Sequence, residues 1–491
     1  MRSSGILMPI FSLPSKYGIG CFSKESYEFV DKLKKAGQKK WQILPLGPTG
    51  YGDSPYQSFS TFAGNPYFID PETLAKEGLL TEKECKEYSC DNGDNKIDYE
   101  KLYLNRFKLL KAAFTRFKPT KEYFSFEKEN EFWLEDYSLF MAIKDSKSGK
   151  SWTEWESELK NRNSKALLDA KERFRQEMDF YKFQQYEFRY QWDKLHKYAN
   201  ECGVEIVGDI PIYVALDSSD AWANPKLFQF DENNLPTKVA GCPPDAFSAT
   251  GQLWGNPLFD WEYHKSTDYH WWIDRIKNCL KLYDIVRIDH FRGFDEYYAI
   301  PYGDKTAEFG KWMKGPGMDL FNAIKKQLGE LNIIAEDLGF LTDSVIKLLS
   351  DSGFPGMKVL QFAFDSREPS NYLPHTYTNN CVVYTGTHDN TTTRAWYSEI
   401  SKDSRDYAKK YIHKHELDED TLAWDFISMA MSSVANLCII PLQDYLCLGA
   451  EGRINQPSTL GGNWVWRMDK DAFSDDLAMR IKELTTLYGR D

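Results

Sequence analysis

The sequence contains no apolar stretch long enough to cross a membrane. No run approaches the roughly 18 apolar residues that a membrane-spanning helix needs. The apolar run at 6–11 is interrupted by Pro9 and is too short for a secretory signal peptide. Long runs of Lys and Arg are also missing, and the net charge is −12. Binding to nucleic acid or to an anionic membrane requires a basic face, so we expect neither as a partner.

The nine cysteines contain no CxxC pair. Their scatter fits neither a disulfide framework nor a zinc site. Reduced thiols in a cytoplasmic protein are the simplest interpretation. We therefore expect a cytoplasmic chain with no structural metal.

Aromatic residues are plentiful, at 15% of the 491 residues. A large core accounts for many of them. A sugar-binding groove is the other interpretation, because aromatic rings stack on the apolar faces of pyranose rings. The composition is otherwise that of a soluble globular protein and leaves both interpretations open.

Short apolar runs that end in polar or acidic residues recur along the chain and alternate with helix-like segments. Continuous apolar runs are typical of parallel strands buried on both faces, and alternation with helices indicates βα units. Eight such units predict an α/β fold with a closed (β/α)8 TIM-type barrel. An open doubly wound sheet is the alternative, and the absence of a GxGxxG turn weakens it. The eight predicted strands are 41–46, 67–69, 204–207, 284–288, 332–335, 357–364, 381–384 and 435–440.

Two spacings between predicted strands are too long for simple connections. We expect residues 1–491 to form a single catalytic barrel with two large insertions. Segment 71–200 has helical periodicity and is predicted to be a mainly helical insertion subdomain. Segment 213–267 is rich in Pro, Gly, Asn and Trp and is predicted to be an ordered loop with little regular structure. Long loops of this kind are usually functional, and we expect an active-site lid at about 239–257.

Five predicted strands carry acids at or just beyond their ends, namely Asp209, Asp289, Glu336 with its neighbour Asp337, Asp365 and Asp389. The active site of a TIM-type barrel lies at this end of its strands, so we expect the acids to meet there. A metal site is one interpretation. Two-carboxylate glycoside chemistry fits better, because one ionised carboxylate attacks while a protonated carboxyl donates to the leaving oxygen.

The neighbours of three of these acids supply the environments that such chemistry needs. Arg287 stands two residues before Asp289 on the same strand face and would keep it ionised. Glu336 follows an apolar run that would raise its pKa. His388 stands beside Asp389 and adds a group that can bind sugar hydroxyls. Any one acid alone could be a strand-end cap or half of a salt bridge, so the prediction depends on the combination.

At these residues the sequence resembles the 4-alpha-glucanotransferase family, also called amylomaltases or disproportionating enzymes, within the broader α-amylase group of retaining barrels. The similarity covers nearly the whole chain and follows the family's order. The motifs are WQILPLGPT at 41–49, DSPYQ at 53–57, GDIPIY at 208–213, SATGQLWGNP at 248–257, RIDHFRG at 287–293, AEDLG at 335–339, GTHDN at 386–390 and GNWVWR at 462–467.

The resemblance implies a role for each candidate residue. Asp289 corresponds to the nucleophile, Glu336 to the general acid/base, and Asp389 to a third carboxylate that holds ring hydroxyls. It also implies that maltooligosaccharides and α-1,4-glucans are the substrates and that catalysis needs no cofactor and no metal. Residues implied to assist around the donor sugar or to contact sugar are Arg287, His290, His388, Asp209, Asp365, Gln252, Trp254, Tyr56 and Ser54.

Two positions depart from the family pattern. Ala246 stands where members often carry an aromatic residue, so we expect an acceptor-side stacking contact to be missing or to be supplied by another residue. Thr391 stands where members often carry an acid, and we expect a small effect there. Trp464 and Trp466 alternate as in a packing segment, and we interpret them as structural.

Two other functions remain open at this stage. An α-glucan hydrolase would use the same carboxylates and release glucose without redistributing chains. A non-catalytic glucan-binding protein would have no need of all three acids, which argues against it.

Overall fold

The chain folds around eight parallel strands that form a barrel. The computed structural model describes residues 2–50, 52–90, 93, 95–244, 248–339, 341–367, 369–459 and 461–491. The strands within these residues are β1 (Ser3–Leu7), β2 (Lys40–Gln42), β3 (Glu205–Pro211), β4 (Lys238–Cys242), β5 (Gln252–Pro257), β6 (Ile285–Asp289), β7 (Glu296–Pro301), β8 (Lys311–Lys314), β9 (Ile333–Ala335), β10 (Gly356–Val359), β11 (Cys381–Tyr384) and β12 (Leu437–Pro441).

The barrel strands are hydrogen-bonded in the order β10-β11-β12-β1-β2-β3-β6-β9. The N-terminal strand β1 pairs in parallel with the C-terminal strand β12 and with β2. The two ends of this order meet where the Ala335 N–H donates to the Pro355 carbonyl at 3.0 Å. The barrel is thus nearly closed, and the predicted (β/α)8 TIM-type fold is confirmed.

Helices connect and surround the barrel strands. Helix α1 shows why they pack there: its buried residues Ser26, Phe29, Val30 and Leu33 recur at helical spacing and form one buried, largely apolar face. The α-helices are α1 (Lys24–Lys35), α2 (Pro71–Lys76), α3 (Glu82–Glu87), α4 (Tyr99–Phe114), α5 (Lys121–Glu129), α6 (Glu131–Ser146), α7 (Ser157–Lys160), α8 (Ser164–Arg173), α9 (Arg175–Glu201), α10 (Ser219–Ala223), α11 (Trp261–Ser266), α12 (His270–Leu282), α13 (Met318–Leu328), α14 (Asp343–Ser352), α15 (Thr393–Glu399), α16 (Lys402–Ile412), α17 (Leu422–Ser432), α18 (Leu442–Tyr445) and α19 (Asp475–Leu487).

Seven of the eight predicted strand segments overlap barrel strands, and the prediction at 67–69 is wrong. Residues Pro66–Phe68 form a short 3-10 helix instead. Asn65 accepts a hydrogen bond from the Tyr67 N–H, and Pro66 lacks the N–H that a strand ladder would use. The eighth barrel strand is β1, which the sequence pattern did not indicate.

Helices α2 to α9 occupy segment 71–200, and α9 ties them to the barrel mouth. The Gln185 side chain accepts a hydrogen bond from the Gly64 N–H at 2.7 Å and donates to its carbonyl at 2.9 Å. A Cβ at Gly64 would lie 2.2 Å from the Phe188 ring, so only glycine allows this approach. The loop 54–64 is thereby fixed against α9.

The expectation of little regular structure in segment 213–267 is wrong. Besides α10 and α11, the segment contains β4 and β5, which belong to a second, antiparallel sheet in the order β5-β4-β7-β8. Strands β7 and β8 follow β6 and lie outside the segment, at Glu296–Pro301 and Lys311–Lys314. Because β4 pairs with the distant strand β7, the local pattern of 213–267 does not predict this sheet.

Among the described residues, no helix is both long and apolar enough to span a membrane. All nine cysteines lie within the described residues, and none of them forms a disulfide bond.

Candidate active site

The C-terminal ends of four barrel strands bring the predicted acids together. Asp209 lies in β3 and Asp289 at the end of the neighbouring strand β6. Glu336 directly follows β9, and Asp389 lies in the loop after β11. In a barrel of this type the C-terminal face carries the active site, and these four acids are found at that face.

Arg287 is the central cation of the cluster. Its Nη1 donates to both carboxylate oxygens of Asp209, at 2.8 and 2.7 Å, and its Nη2 donates to Asp289 Oδ1 at 2.9 Å. Burial lowers the pKa of Arg287, but the charges of Asp209 and Asp289 outweigh burial and hold it well above its usual range. The Asp209 side chain is fully enclosed, whereas that of Asp289 is 31% exposed. Arg287 therefore orients Asp289 while leaving it accessible.

Glu336 is held by two backbone N–H groups. The His290 N–H donates to Oε2 and the Leu338 N–H to Oε1, both at 2.7 Å. Burial, and then the charge of Asp289, raises the pKa of Glu336 to about 7, although Arg287 and the two N–H groups oppose the rise. A group that donates and later accepts a proton works best with a pKa near the working pH, and Glu336 meets this requirement.

His290 connects Glu336 with the second sheet. Its backbone is left-handed, with φ +56°, which is uncommon for residues other than glycine. In this conformation its N–H reaches Glu336, and its ring meets the Trp254 ring edge-to-face at 4.9 Å. Burial lowers the pKa of His290 to about 4, so the ring is neutral near pH 7. Within the described residues, its Nε2 has no hydrogen-bond partner.

Tyr56 enters the cluster from the loop 54–64. Its hydroxyl donates to Asp209 Oδ2 at 2.8 Å, and its ring stacks on the His388 ring at 5.2 Å and 14°. The Ser54 hydroxyl accepts a hydrogen bond from the Tyr56 N–H at 3.3 Å. Trp464 packs against Tyr56 and His388, with ring centroids 5.9 and 6.0 Å away. The loop and the buried tryptophan thus fix both rings.

Two residues that the sequence interpretation missed hold Asp389. Asn455 Nδ2 donates to Asp389 Oδ1 at 2.6 Å, and Arg453 Nη2 donates to the Asp389 carbonyl at 3.1 Å. The Asn455 N–H also donates to the His388 carbonyl at 3.2 Å. Both residues lie in an irregular segment after β12. They do not follow a predicted strand directly, so the strand-end pattern did not indicate them. His388 Nε2 lies 3.4 Å from Asp389 Oδ1.

Three further predicted residues, Gln252, Trp254 and Asp365, lie on β5 or beyond the end of β10. Gln252 and Trp254 lie on β5, and the Trp254 Nε1–H donates to Gln252 Oε1 at 3.1 Å. Asp365 instead forms an ion pair with Arg367, at 2.5 Å. Within the part of the chain that the structure describes, Asp365 makes no direct hydrogen bond to the carboxylate cluster.

The two departures from the family pattern have different positions. Ala246 lies outside the described residues. Thr391 is buried, and its carbonyl accepts a hydrogen bond from Gln361 Nε2 at 2.9 Å. Across the described ranges, no group of three or more His, Cys, Asp and Glu side chains is arranged to hold a metal ion.

The fold and the cluster define a class of protein, a (β/α)8 barrel with an acidic candidate active site at the C-terminal ends of its strands. Residues 8–472 match the model of glycoside hydrolase family 77, described as 4-alpha-glucanotransferase. The 4-alpha-glucanotransferase of Clostridium butyricum is 50% identical over 98% of this chain and 100% of that protein. The 4-alpha-glucanotransferase of Thermus thermophilus is 44% identical over 98% of each chain.

Solved structures agree with the sequence comparison. The amylomaltase from Streptococcus agalactiae, solved in complex with acarbose, superposes with a TM-score of 0.97 at 40% identity, and the match covers 100% of both chains. The amylomaltase from Corynebacterium glutamicum has a TM-score of 0.80 at 17% identity, covering 99% of this chain and 75% of that one, and shows the shared fold alone.

This chain belongs to the 4-alpha-glucanotransferase family, glycoside hydrolase family 77. It is an enzyme that transfers α-1,4-glucan segments, and the family resemblance of the sequence is confirmed.

Proposed function

We propose that the enzyme moves α-1,4-glucan segments by a retaining double displacement through a covalent glucosyl-enzyme on Asp289, with Glu336 as the acid/base. The donor is a maltooligosaccharide or a starch- or glycogen-type glucan, and the acceptor is the 4-hydroxyl of another glucan or of glucose. The observation that carries this proposal is the contrast between the two carboxyl groups. Asp289 is bound to the charged Arg287, whereas burial raises the pKa of Glu336 to about 7.

In the first step, an Asp289 oxygen attacks the anomeric carbon of the donor. The bond from that carbon to the glycosidic oxygen breaks, and the protonated carboxyl of Glu336 gives its proton to the departing oxygen. The departing glucan leaves with a free 4-hydroxyl. Glu336 becomes ionised at this point, next to the ester that has consumed the charge of Asp289.

In the second step, the 4-hydroxyl of an acceptor attacks the anomeric carbon. Glu336 takes the hydroxyl proton as the new glycosidic bond forms, and Asp289 is released as a carboxylate. Two inversions give net retention. Glu336 returns to its protonated form, so the cycle closes without another reagent.

The other residues of the cluster support these two steps. We infer that Asp389, held by Asn455, binds ring hydroxyls and stabilises the positive charge that develops on the sugar. His388 and the neutral His290 donate to or accept from sugar hydroxyls beside it. Residues inferred to contact sugar further along the cleft are Ser54, Tyr56, Gln252, Trp254 and Asp365.

The enclosure of Asp209 favours a positioning role. Asp209 accepts hydrogen bonds from Arg287 and Tyr56 and has no exposed surface. It therefore acts on the sugar through those two residues.

We propose that residues 1–491 form one catalytic barrel, with 71–200 as a helical insertion subdomain and an active-site lid at about 239–257.

Water at about 55 M outnumbers a millimolar acceptor by roughly 10⁴ to 10⁵, so transfer needs a preference of about 6 to 7 kcal/mol merely to equal hydrolysis. Exclusion of water by a lid supplies such a preference. Shortening 243–251 should raise hydrolysis relative to transfer, and an unchanged ratio would contradict the lid.

Trapping the intermediate tests the covalent step. We expect the Glu336→Gln variant, given maltotriosyl fluoride, to form the glycosyl-enzyme, because fluoride leaves without a proton. The intermediate should persist because the acceptor then lacks its base. Mass spectrometry of the digested protein should find maltotriose on the peptide that contains Asp289. The matched control is the double variant Glu336→Gln/Asp289→Asn, which should carry no sugar. Sugar on another peptide, or on the double variant, would contradict the proposed nucleophile.

A further inference from the structure

A second cavity lies between the helical segment 71–200 and the helices that follow β3. Its volume is about 270 Å³, just below the roughly 300–1,000 Å³ that is usual for small-molecule sites. Among the described residues, none of the three proposed catalytic carboxylates lines it. We name it the aromatic cavity, and its lining includes Phe62, Phe132, Trp133, Asp220, Trp271 and Asp274.

Four aromatic rings form one side of this cavity, with Phe62 at the centre. The Phe62 ring meets Phe132 edge-to-face at 5.2 Å and Trp271 edge-to-face at 6.1 Å, and it stacks on Trp133 at 6.3 Å. Phe132 is 53% exposed, so a large apolar ring stands open to solvent beside the cavity. Aromatic rings pair a large apolar surface with a specific preferred geometry, which suits the flat C–H face of a pyranose.

Carboxylates lie on the same cavity wall. Asp220 Oδ2 accepts a hydrogen bond from the Thr61 N–H at 2.8 Å, and Asp274 Oδ2 lies 3.3 Å from His270 Nε2. A carboxylate can accept about four hydrogen bonds, so both retain accepting capacity beyond these contacts. Burial raises the pKa of Asp220 to about 6, and it is an ionised acceptor at pH 7. Sugar hydroxyls are the donors that complement such oxygens.

We propose that the aromatic cavity is a second binding site for the sugar rings of a long α-glucan. Aromatic faces with nearby carboxylate oxygens match a neutral ring that has apolar faces and a rim of hydroxyl donors. The identity of the ligand as α-glucan rests on the proposed function, whereas the match to a pyranose rests on the cavity alone.

The loop 54–64 joins the cavity to the active site. It carries Tyr56 in the carboxylate cluster and Phe62 in the cavity wall. A six-residue step spans at most about 22 Å between Cα atoms, so the two sites are close enough for one long glucan to reach both. With only three rings, maltotriose is expected to occupy one site at a time. Binding of a second segment of the same chain is then intramolecular, which raises apparent affinity by up to about 10²- to 10⁴-fold.

The Phe132→Ala variant tests the second site, and Phe124→Ala is the matched control. Phe124 lies on the neighbouring helix α5, is 58% exposed, and does not line the cavity. We expect amylose in a native gel to retard the wild type and the control but not Phe132→Ala. We also expect Phe132→Ala to raise KM for amylose about tenfold, with kcat and both constants for maltotriose unchanged.

Equal retardation of Phe132→Ala and the control would overturn the second site, and so would equal loss of activity on maltotriose and amylose. If Phe132→Ala fails to fold, as judged by thermal unfolding, Asp274→Asn takes its place with the same expected result. Retardation measures binding without turnover. Retardation that depends on Phe132, in a protein that fails to transfer maltotriose, would contradict the proposed function and still support the cavity.

Discussion

Replacing Glu336 with glutamine should change the pH dependence of stability as well as abolish transfer. The pKa of Glu336 is raised from 4.5 to about 7, chiefly by burial and then by Asp289. At a pH between these two values, the Glu336 carboxyl group is ionised in the unfolded chain and protonated in the folded chain. The carboxyl group therefore lowers the free energy of unfolding as pH rises through this window, and the loss levels off above pH of about 7.

The size of this effect follows from the shift. At 1.36 kcal/mol per pKa unit, the rise costs the wild type about 3 kcal/mol at alkaline pH relative to acid pH. Glutamine has no charge to bury. Its side-chain oxygen can accept only one of the two backbone hydrogen bonds that Glu336 accepts. Losing the other hydrogen bond destabilises the variant by an amount that does not depend on pH. The pH-dependent part of the difference is therefore the informative quantity.

The assay is urea unfolding of wild type and Glu336→Gln at about pH 4 and about pH 8. We expect the difference in free energy of unfolding, Glu336→Gln minus wild type, to be about 3 kcal/mol more positive at the higher pH than at the lower one. Glu330→Gln is the control, because the Glu330 side chain is 85% exposed. A Glu336→Gln difference that is the same at both pH values would refute the assignment of a raised pKa. In the wild type, kcat/KM for transfer should fall as pH rises above about 7, since Glu336 then lacks its proton.

Three further predictions concern the support of the cluster. Tyr56→Phe keeps the ring but removes its hydrogen bond to the buried Asp209, and kcat/KM for maltotriose should fall at least roughly tenfold; an unchanged value would contradict the positioning role. Asn455→Ala removes the donor to the carboxylate after β11, and transfer should fall roughly tenfold with little change in thermal unfolding; equal activity would show that this contact is dispensable. Gly208→Ala would place a Cβ 2.1 Å from an aromatic ring, and urea unfolding should show a loss of about 1–3 kcal/mol; wild-type stability would show that the ring can move.

The barrel was predictable where strands are apolar and end in acids, as at Asp209 and Asp289. The N-terminal strand Ser3–Leu7 escaped notice because it contains two serines and a glycine. Gly5 is required there, because a Cβ would lie 2.6 Å from the Lys40 carbonyl oxygen. That requirement comes from packing between strands, which a local apolar pattern does not record.

The same limit applies to the candidate site. The strand-end acids could be named because their positions follow from the strands. Asn455 could not, since it meets Asp389 across 66 residues of sequence from an irregular segment. Trp464 was interpreted as a packing residue, and it is buried against the Tyr56 ring.

Incubation with maltotriose distinguishes glucan transfer from hydrolysis. The products are resolved by chain length over time while total reducing ends are counted. We expect glucose together with a ladder of longer maltodextrins, constant reducing ends, and no ladder from Asp289→Asn. Rising reducing ends without any product longer than maltotriose would contradict transfer, and a full ladder from Asp289→Asn would contradict the nucleophile.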